Sequence, residues 1–365
     1  MYYRIPLASP EIEKDDIKKV TDAVKSGWVS SKGSFIGEFE RRLSNYIGMT
    51  HGVAVSSGTA ALHLALSAIG IGKKDKVIVP SLSFIAPANA VVYTGAQPVF
   101  VDSHPKYWCI DPSKISDKID RQTRAIIAVN LYGHPCEMNE IMEIAEHYNL
   151  QVIEDCAEAH GAEYKGKKIG SFGTVSCFSF YANKIITTGE GGICHTNDEE
   201  LMNKMRILRD HGMNPKKKYW HDVIGFNYRM TNLQAALGVA QINKIEYLID
   251  KKRRIAAKYE QLLGDLKNIT LAPQMSWGKS VYWLYSILIK KGNRDKVITH
   301  LEKEGIETRP FFYPIHLLPP YKDKRHVRLG VAEKLSTMGL NLPSGYQLSD
   351  DQIGEVTDLL RSNVE

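Results

Sequence analysis

Lys184 stands in a loop whose composition suits chemistry. In the stretch VSCFSFYANKIITTGEGGICHT, residues 175–196, an apolar strand-like run (Val175, Cys177, Phe178, Phe180) leads to Ala182-Asn183-Lys184. A second strand-like run begins beyond Thr187-Thr188-Gly189-Glu190-Gly191-Gly192. A lysine held between two buried strands is partly desolvated, which lowers the pKa of its amine and makes it a nucleophile toward a carbonyl. The three glycines permit positive φ and close backbone approach, as a loop wrapped around a bulky ligand requires. By itself the stretch is equally compatible with a surface hairpin carrying a solvated lysine.

Two further groups narrow this. Ser57-Gly58-Thr59 lies where a short apolar run, residues 51–56, gives way to the helix-forming AALHLALSAIG. A strand-to-helix junction with two hydroxyls and a glycine offers free N–H groups and the positive end of a helix dipole to an anion such as a phosphate. It is neither a Walker loop nor a GxGxxG fingerprint. Ordinary helix capping would use the same residues. Asp155 ends the run QVIED and is followed by Cys156-Ala157-Glu158-Ala159-His160-Gly161. A carboxylate there, beneath a ligand, could keep a pyridinium nitrogen protonated. A turn or a cap is the ordinary alternative, and Asp155, Glu158 and His160 could begin a metal site, although nothing else in the chain completes one. A phosphate site, a strand-end aspartate and a lysine in a glycine-rich loop are the three anchors of pyridoxal 5′-phosphate, and together they point to that cofactor and to no metal.

The elements that must hold these residues follow from the pattern. The 365 residues, 43% hydrophobic and 24% charged, suit a large globular core plus a smaller unit. The net charge of +6 is modest, and its one short basic run, Lys216-Lys217-Lys218, reads as a solvated loop; there is no nucleic-acid motif. Five scattered cysteines without a CxxC pair suit reduced thiols. With no signal peptide and no apolar run of membrane-spanning length, the expectation is a cytoplasmic protein with no membrane contact.

Ser9-Pro10-Glu11 predicts the start of a first helix ending near Gly27, and Phe35 to Ile47 a second, closed by Gly48. Strands are expected at 51–56, 76–80, 98–102, 125–130 and 151–155, with helices at 86–93, 112–119 and 138–148 between them. This alternation implies an α/β fold with a mainly parallel sheet covered on both faces, whose ligands bind beyond the carboxyl ends of the strands. Residues 198–210 and 233–263 read as helical. We expect a large domain over 1–249 and a smaller C-terminal α+β domain over 250–365. In the latter, 281–289 forms a strand, 294–304 a helix, and Ser349 to Gln352 a capping box.

Through SSGTAALHLAL, LYGHPCEM, VIEDCAEA, NKIITTGEGG, YWHDVIGFNYRMTNLQAA and ETRPFFYPIHLLPPY the chain resembles, over nearly its whole length, the DegT/DnrJ/EryC1/StrS family of sugar aminotransferases. The resemblance implies a type I-like aminotransferase fold. It makes Lys184 the Schiff-base lysine, Asp155 the partner of the ring nitrogen, and Ser57, Gly58, Thr59 and Ser179 the phosphate contacts. Phe84 matches the residue that stacks on the ring, though on sequence alone it would be core, and Glu158 matches the residue beside the ring hydroxyl. Asn227, in GFNYRM, corresponds to the asparagine that reaches the phosphate in the neighbouring subunit, so the family implies a homodimer with shared sites. Arg309, Tyr313 and His316 are candidates for the diphosphate or the sugar; a salt bridge for Arg309 and a satisfied core position for His316 are the alternatives.

The implied reaction moves the amino group of L-glutamate to the 4-keto group of a nucleotide-linked sugar, with GDP-4-dehydro-6-deoxy-D-mannose as the expected ketone. A UDP-keto-sugar, an inosose or a small phosphorylated ketone is the alternative within the fold, and a regulator that binds the cofactor without turnover is the alternative outside it. A related dehydratase branch carries histidine in place of the lysine, so Lys184 favours transamination. Tyr181-Ala182 departs from the Phe-Gly expected before Asn-Lys.

Overall fold

The computed structural model describes residues 3–291, 293–322 and 328–364, so the outermost residues of the two expected domains, Met1 and Glu365, lie outside the described residues. Seven strands form the main sheet: β1 (His51–Val55), β2 (Lys76–Pro80), β3 (Gln97–Val101), β4 (Thr123–Val129), β5 (Gln151–Asp155), β6 (Val175–Ser179) and β7 (Gly192–Thr196). Their spatial order is β1-β7-β6-β5-β4-β2-β3. Every neighbouring pair is parallel except the two that involve β7, which runs against both β1 and β6. The carboxyl ends of β1, β5 and β6 and the start of β7 therefore share one edge, where the chemistry-bearing residues lie.

Both faces of this sheet are buried, which explains the uninterrupted apolar runs. Val53, Val55, Val77 and Val79 point to one core, and Ala54 and Ile78 to the other. The first core is covered by α3 (Gly58–Ala68), α4 (Ala86–Tyr93) and α6 (Glu199–Arg209). The second is covered by α2 (Ser34–Ile47), α5 (Met138–His147), α7 (Asn232–Asn243) and α10 (Gly330–Met338). Gly48 closes α2 in the left-handed conformation, as expected.

Three expectations about elements change. Helix α1 spans Lys14–Lys25 and does not begin at Ser9-Pro10-Glu11; Glu13 caps it in a box with Asp16. The reason is tertiary, because Ser9 Oγ donates to Gln347 at 2.6 Å and the Leu7 carbonyl accepts from Ser344 N at 2.7 Å, which ties this segment to the C-terminal part in extended form. Residues 112–119 form two short 3₁₀ turns, Pro112–Lys114 and Ser116–Lys118, in place of a helix. Of the expected strand at 281–289, only Tyr285–Ile289 is strand. Val281 N donates instead to the Gly133 carbonyl at 3.1 Å, and Tyr282 adopts a φ of 47°, folding this approach over the main sheet's edge.

The smaller unit is an antiparallel sheet of β8 (Ile269–Thr270), β9 (Tyr285–Ile289), β10 (Arg309–Pro310) and β11 (Gly339–Leu342), in the order β8-β9-β11-β10. Its core joins α8 (Ile245–Leu263), α9 (Arg294–Lys303) and α11 (Asp350–Val364). The expected capping box opens α11: Ser349 N donates to Gln352 Oε1 at 3.0 Å, and Gln352 N donates to Ser349 Oγ at 3.2 Å. Helix α8 passes between the cores, with Leu248 and Ile249 in the larger and Ile255 and Tyr259 in the smaller. Ile5, near the start of the chain, also packs in the smaller core and bridges to Ile306. Among the described residues no helix is long and apolar enough to cross a membrane, and all five cysteines are buried and unpaired.

Candidate active site

The residues singled out by their chemistry converge on one cavity of about 460 Å³ at the carboxyl edge of the main sheet. Ser57 caps α3 by accepting from Ala60 N at 3.1 Å. The N–H groups of Gly58 and Thr59, in the first turn, have no intrahelical acceptor and face the cavity with the positive end of the helix. Ser179, at the end of β6, completes this corner. The backbones approach too closely for larger residues: a Cβ on Gly58 would lie 2.6 Å from the Ser179 Cβ, and one on Gly192 would lie 2.3 Å from the Ser57 carbonyl oxygen. That cradle leaves room for an anion and little else.

Lys184 enters from the loop between β6 and β7 with a side chain only 11% exposed. Its Nζ lies 3.8 Å from Glu158 Oε1 and 3.8 Å from the centroid of the Trp283 ring. Burial pulls the amine below its ordinary pKa, while Glu158 and, less strongly, Asp155 oppose that. Asp155, 5% exposed at the end of β5, accepts one backbone bond, from Ala157 N at 3.0 Å. Burial pushes its carboxyl up to about 6, against the pull of Ala157 N–H and Lys184. Glu158 accepts from Tyr132 N at 2.8 Å, and burial pushes it up to about 7, with Lys184 the main opposing influence.

Two desolvated carboxylates and one reluctant amine make a site that a further cation would stabilise. A protonated pyridine nitrogen against Asp155 would supply that charge, and the start of α3 would take the phosphate. The residues present therefore fit pyridoxal phosphate: Asp155 for the ring nitrogen, Ser57, Gly58, Thr59 and Ser179 for the phosphate, and Lys184 for the aldehyde.

Phe84 lines the cavity and is 55% exposed, so it is not the core residue its surroundings in the sequence suggest; its ring stands 5.8 Å from that of Phe312. Arg309 lines the cavity and pairs with Glu307 at 2.9 Å, the salt bridge that is the structural alternative for it. Tyr313 and His316 are not among the residues that line this cavity. Phe312 turns in and Tyr313, 64% exposed, turns out. The next turn is pinned by Ile315 N donating to the Ser81 carbonyl at 2.8 Å. His316 is buried and satisfied, with Nδ1 2.6 Å from Ser81 Oγ and Nε2 3.3 Å from Glu333, and it borders a separate cavity of about 430 Å³. Asn227 is exposed outside this chain's cavity, its Oδ1 accepting from Arg229 Nε and Nη2 at 3.3 and 3.1 Å.

Sequence reasoning missed Trp283, Phe312, Asn183 and Glu190 as cavity residues. Glu190 lay in plain view within the glycine-rich motif. Trp283 was hidden in an apolar run read as strand, and its position depends on the positive φ of Tyr282, which no spacing reveals.

Comparison with known proteins agrees with this geometry. Residues 10–361 match the DegT/DnrJ/EryC1/StrS aminotransferase family. The chain is 46% identical over 357 residues to the GDP-perosamine synthase of Caulobacter vibrioides, covering 97% of this chain and 96% of that one. It is 45% identical over 350 residues to the GDP-perosamine synthase of Escherichia coli O157:H7, covering 96% and 95%. Its fold superposes on the PLP-form of the putative sugar aminotransferase Spr1654 from Streptococcus pneumoniae with a TM-score of 0.93 at 27% identity, over 99% of each chain. The chain belongs to the DegT/DnrJ/EryC1/StrS aminotransferase family and is a pyridoxal 5′-phosphate-dependent aminotransferase.

Proposed function

We propose that this enzyme transfers the amino group of L-glutamate to the 4-keto group of GDP-4-dehydro-6-deoxy-D-mannose, yielding GDP-perosamine, and that it works as a cytoplasmic homodimer. The observation that carries the substrate is the near full-length identity to two GDP-perosamine synthases. Buried, unpaired cysteines suit a reducing compartment.

Bound in this cavity, pyridoxal phosphate supplies an electrophilic carbon and an electron sink. The chain's own residues do the rest. Lys184, its amine pKa drawn down by burial, is the base. Once displaced by the donor's amine, its Nζ takes the proton from the donor's α-carbon and later returns one to the carbon that receives the nitrogen. Glu158, 3.8 Å away, steadies Nζ whenever it carries that proton. Asp155 would hold the ring-nitrogen proton, and the Trp283 ring covers the amine at 3.8 Å. Arg309, half exposed at the cavity, is placed to grip a diphosphate with paired N–H donors. Asn227 serves the phosphate of the neighbouring subunit.

The test offers purified enzyme, pyridoxal phosphate and glutamate a panel of GDP- and UDP-linked 4-keto sugars, an inosose and a phosphorylated ketone, with mass analysis of products. Amination of the GDP-linked ketone at a kcat/KM at least about tenfold above the others is expected. Preference for a UDP-linked sugar or an inosose would overturn the substrate assignment. Tyr181, which departs from the expected Phe and lines the cavity beside Lys184, is the residue to exchange first in that case.

A further inference from the structure

The residues on either side of Lys184 are each held by an aromatic donor from the C-terminal part of the chain. Trp283 Nε1 donates to the Asn183 carbonyl at 2.7 Å, and the Tyr346 hydroxyl donates to the Ile185 carbonyl at 2.6 Å. The same indole presents its face to Lys184 Nζ at 3.8 Å. One buried amine organises both aromatics. Lys252, 2% exposed in α8, donates from Nζ to the Trp283 carbonyl at 3.0 Å and to the Ser344 carbonyl at 2.6 Å, and Nζ sits 4.8 Å over the Tyr346 ring.

Such a lysine is costly. Among the described residues no carboxylate pairs with it, and burial draws its amine down to about 7. An apolar residue of similar volume would avoid that cost, but it would leave two inward-facing carbonyls without a donor. Backbone strain marks the same place. Tyr282, next to Trp283, has φ 47°, and Tyr132, stacked on Trp283 at 6.4 Å, has φ 53°. Bulky residues adopt positive φ only where their surroundings hold them. The surroundings here include a lysine that ties the loop before β9 to the loop after β11.

We propose that Lys252 is a positioning residue for Lys184: its buried Nζ fixes the two aromatic donors that grip the backbone at Asn183 and Ile185, and so sets where the catalytic amine stands. Because α8 runs through both cores, Lys252 also makes that placement depend on how the smaller unit seats on the larger. The inference rests on Lys184 as the amine that moves the proton, and it does not depend on which ketone is the substrate.

The test compares holoenzymes carrying Lys252→Met, Trp283→Phe and Tyr346→Phe; the two phenylalanine variants keep a ring and delete the donor. Four quantities are read: kcat and KM of the glutamate half-reaction, the midpoint of the pH titration of the bound cofactor's visible band, and the melting temperature. Lys252→Met should lower kcat about ten- to hundredfold. It should change the glutamate KM less than about threefold and move the titration midpoint by about half a unit or more. Trp283→Phe and Tyr346→Phe should each move the midpoint in the same direction by less, and adding either to Lys252→Met should contribute little further. If Lys252→Met lowers only the melting temperature, leaving midpoint and kcat of the folded holoenzyme as in the wild type, the proposal is overturned. Should that variant fail to fold, unchanged midpoints in both phenylalanine variants overturn it equally. A wild-type enzyme that ignores glutamate sinks the proposed donor instead, and the midpoint comparison still decides the role of Lys252.

Discussion

Asp155 and Glu158 sit in the folded protein with carboxyl pKa values raised by burial to about 6 and about 7. In the unfolded chain they titrate near their ordinary values of about 4. Between those limits the folded apoprotein holds protons that the unfolded chain has released, so both groups withdraw stability as pH rises from about 4 to about 7. The cost persists above that window, where the carboxylates are ionised without the ring nitrogen. Asp155→Asn should therefore melt at or above the wild-type apoprotein at pH 7, approach it below pH ~4, and still lose turnover by about a hundredfold or more. Thermal melts of both apoproteins across this range, with turnover of the reconstituted enzymes, make the check; a variant melting well below wild type at pH 7 would show that Asp155 is a structural carboxylate. The cost of these two side chains was legible in the sequence only as position: a strand end followed by a second acid is visible, and the dryness around it is not. Trp283 and His316 show the same limit. Which way a side chain turns out of an irregular segment depends on backbone bonds such as that of Ile315 N to Ser81, which connect residues far apart in the chain.

At the scale of elements, the cradle at the start of α3 works because β7 begins with a glycine packed on the turn that precedes the helix. A Cβ at Gly192 would meet the Ser57 carbonyl oxygen at 2.3 Å and Gly58 N at 2.8 Å, both backbone atoms that cannot step aside. Gly192→Ala should push the first turn of α3 off its axis, cost about 1–3 kcal/mol of stability, and weaken pyridoxal phosphate more than it weakens folding. Spectral titration of the apoprotein with the cofactor reads the second effect, and retention of wild-type affinity would show that the cradle has slack. The strands and helices of this region could be read from the sequence to within a residue or two, because the inner strands are buried on both faces and largely apolar. The segments read wrongly, at residues 9–13, 112–119 and 281–284, are those whose shape is set by partners elsewhere. Ser9, for example, is an N-cap by type and a partner of Gln347 in fact.

At the scale of the whole molecule, one proposed site residue faces away from its own chain's cavity. Asn227 is exposed, and its side-chain oxygen accepts from Arg229 through two N–H donors. Its neighbourhood exposes apolar side chains that a monomer has no use for, among them Ile224 at 93% and Trp220 at 51%. A twofold dimer in which each subunit lends Asn227 to the other would account for both features. Complementation tests this directly. Lys184→Ala and Asn227→Ala subunits are each prepared as near-inactive homodimers, then mixed, unfolded and refolded in equal amounts. In a mixed dimer with sharing, one site combines the intact Lys184 of one subunit with the intact Asn227 of the other, and the second site lacks both. Half the dimers are mixed and each has one of two sites intact, so activity should return to about a quarter of wild type per unit of protein. If Asn227 acts only within its own subunit, every site in the mixture lacks one of the two residues, and mixing restores nothing.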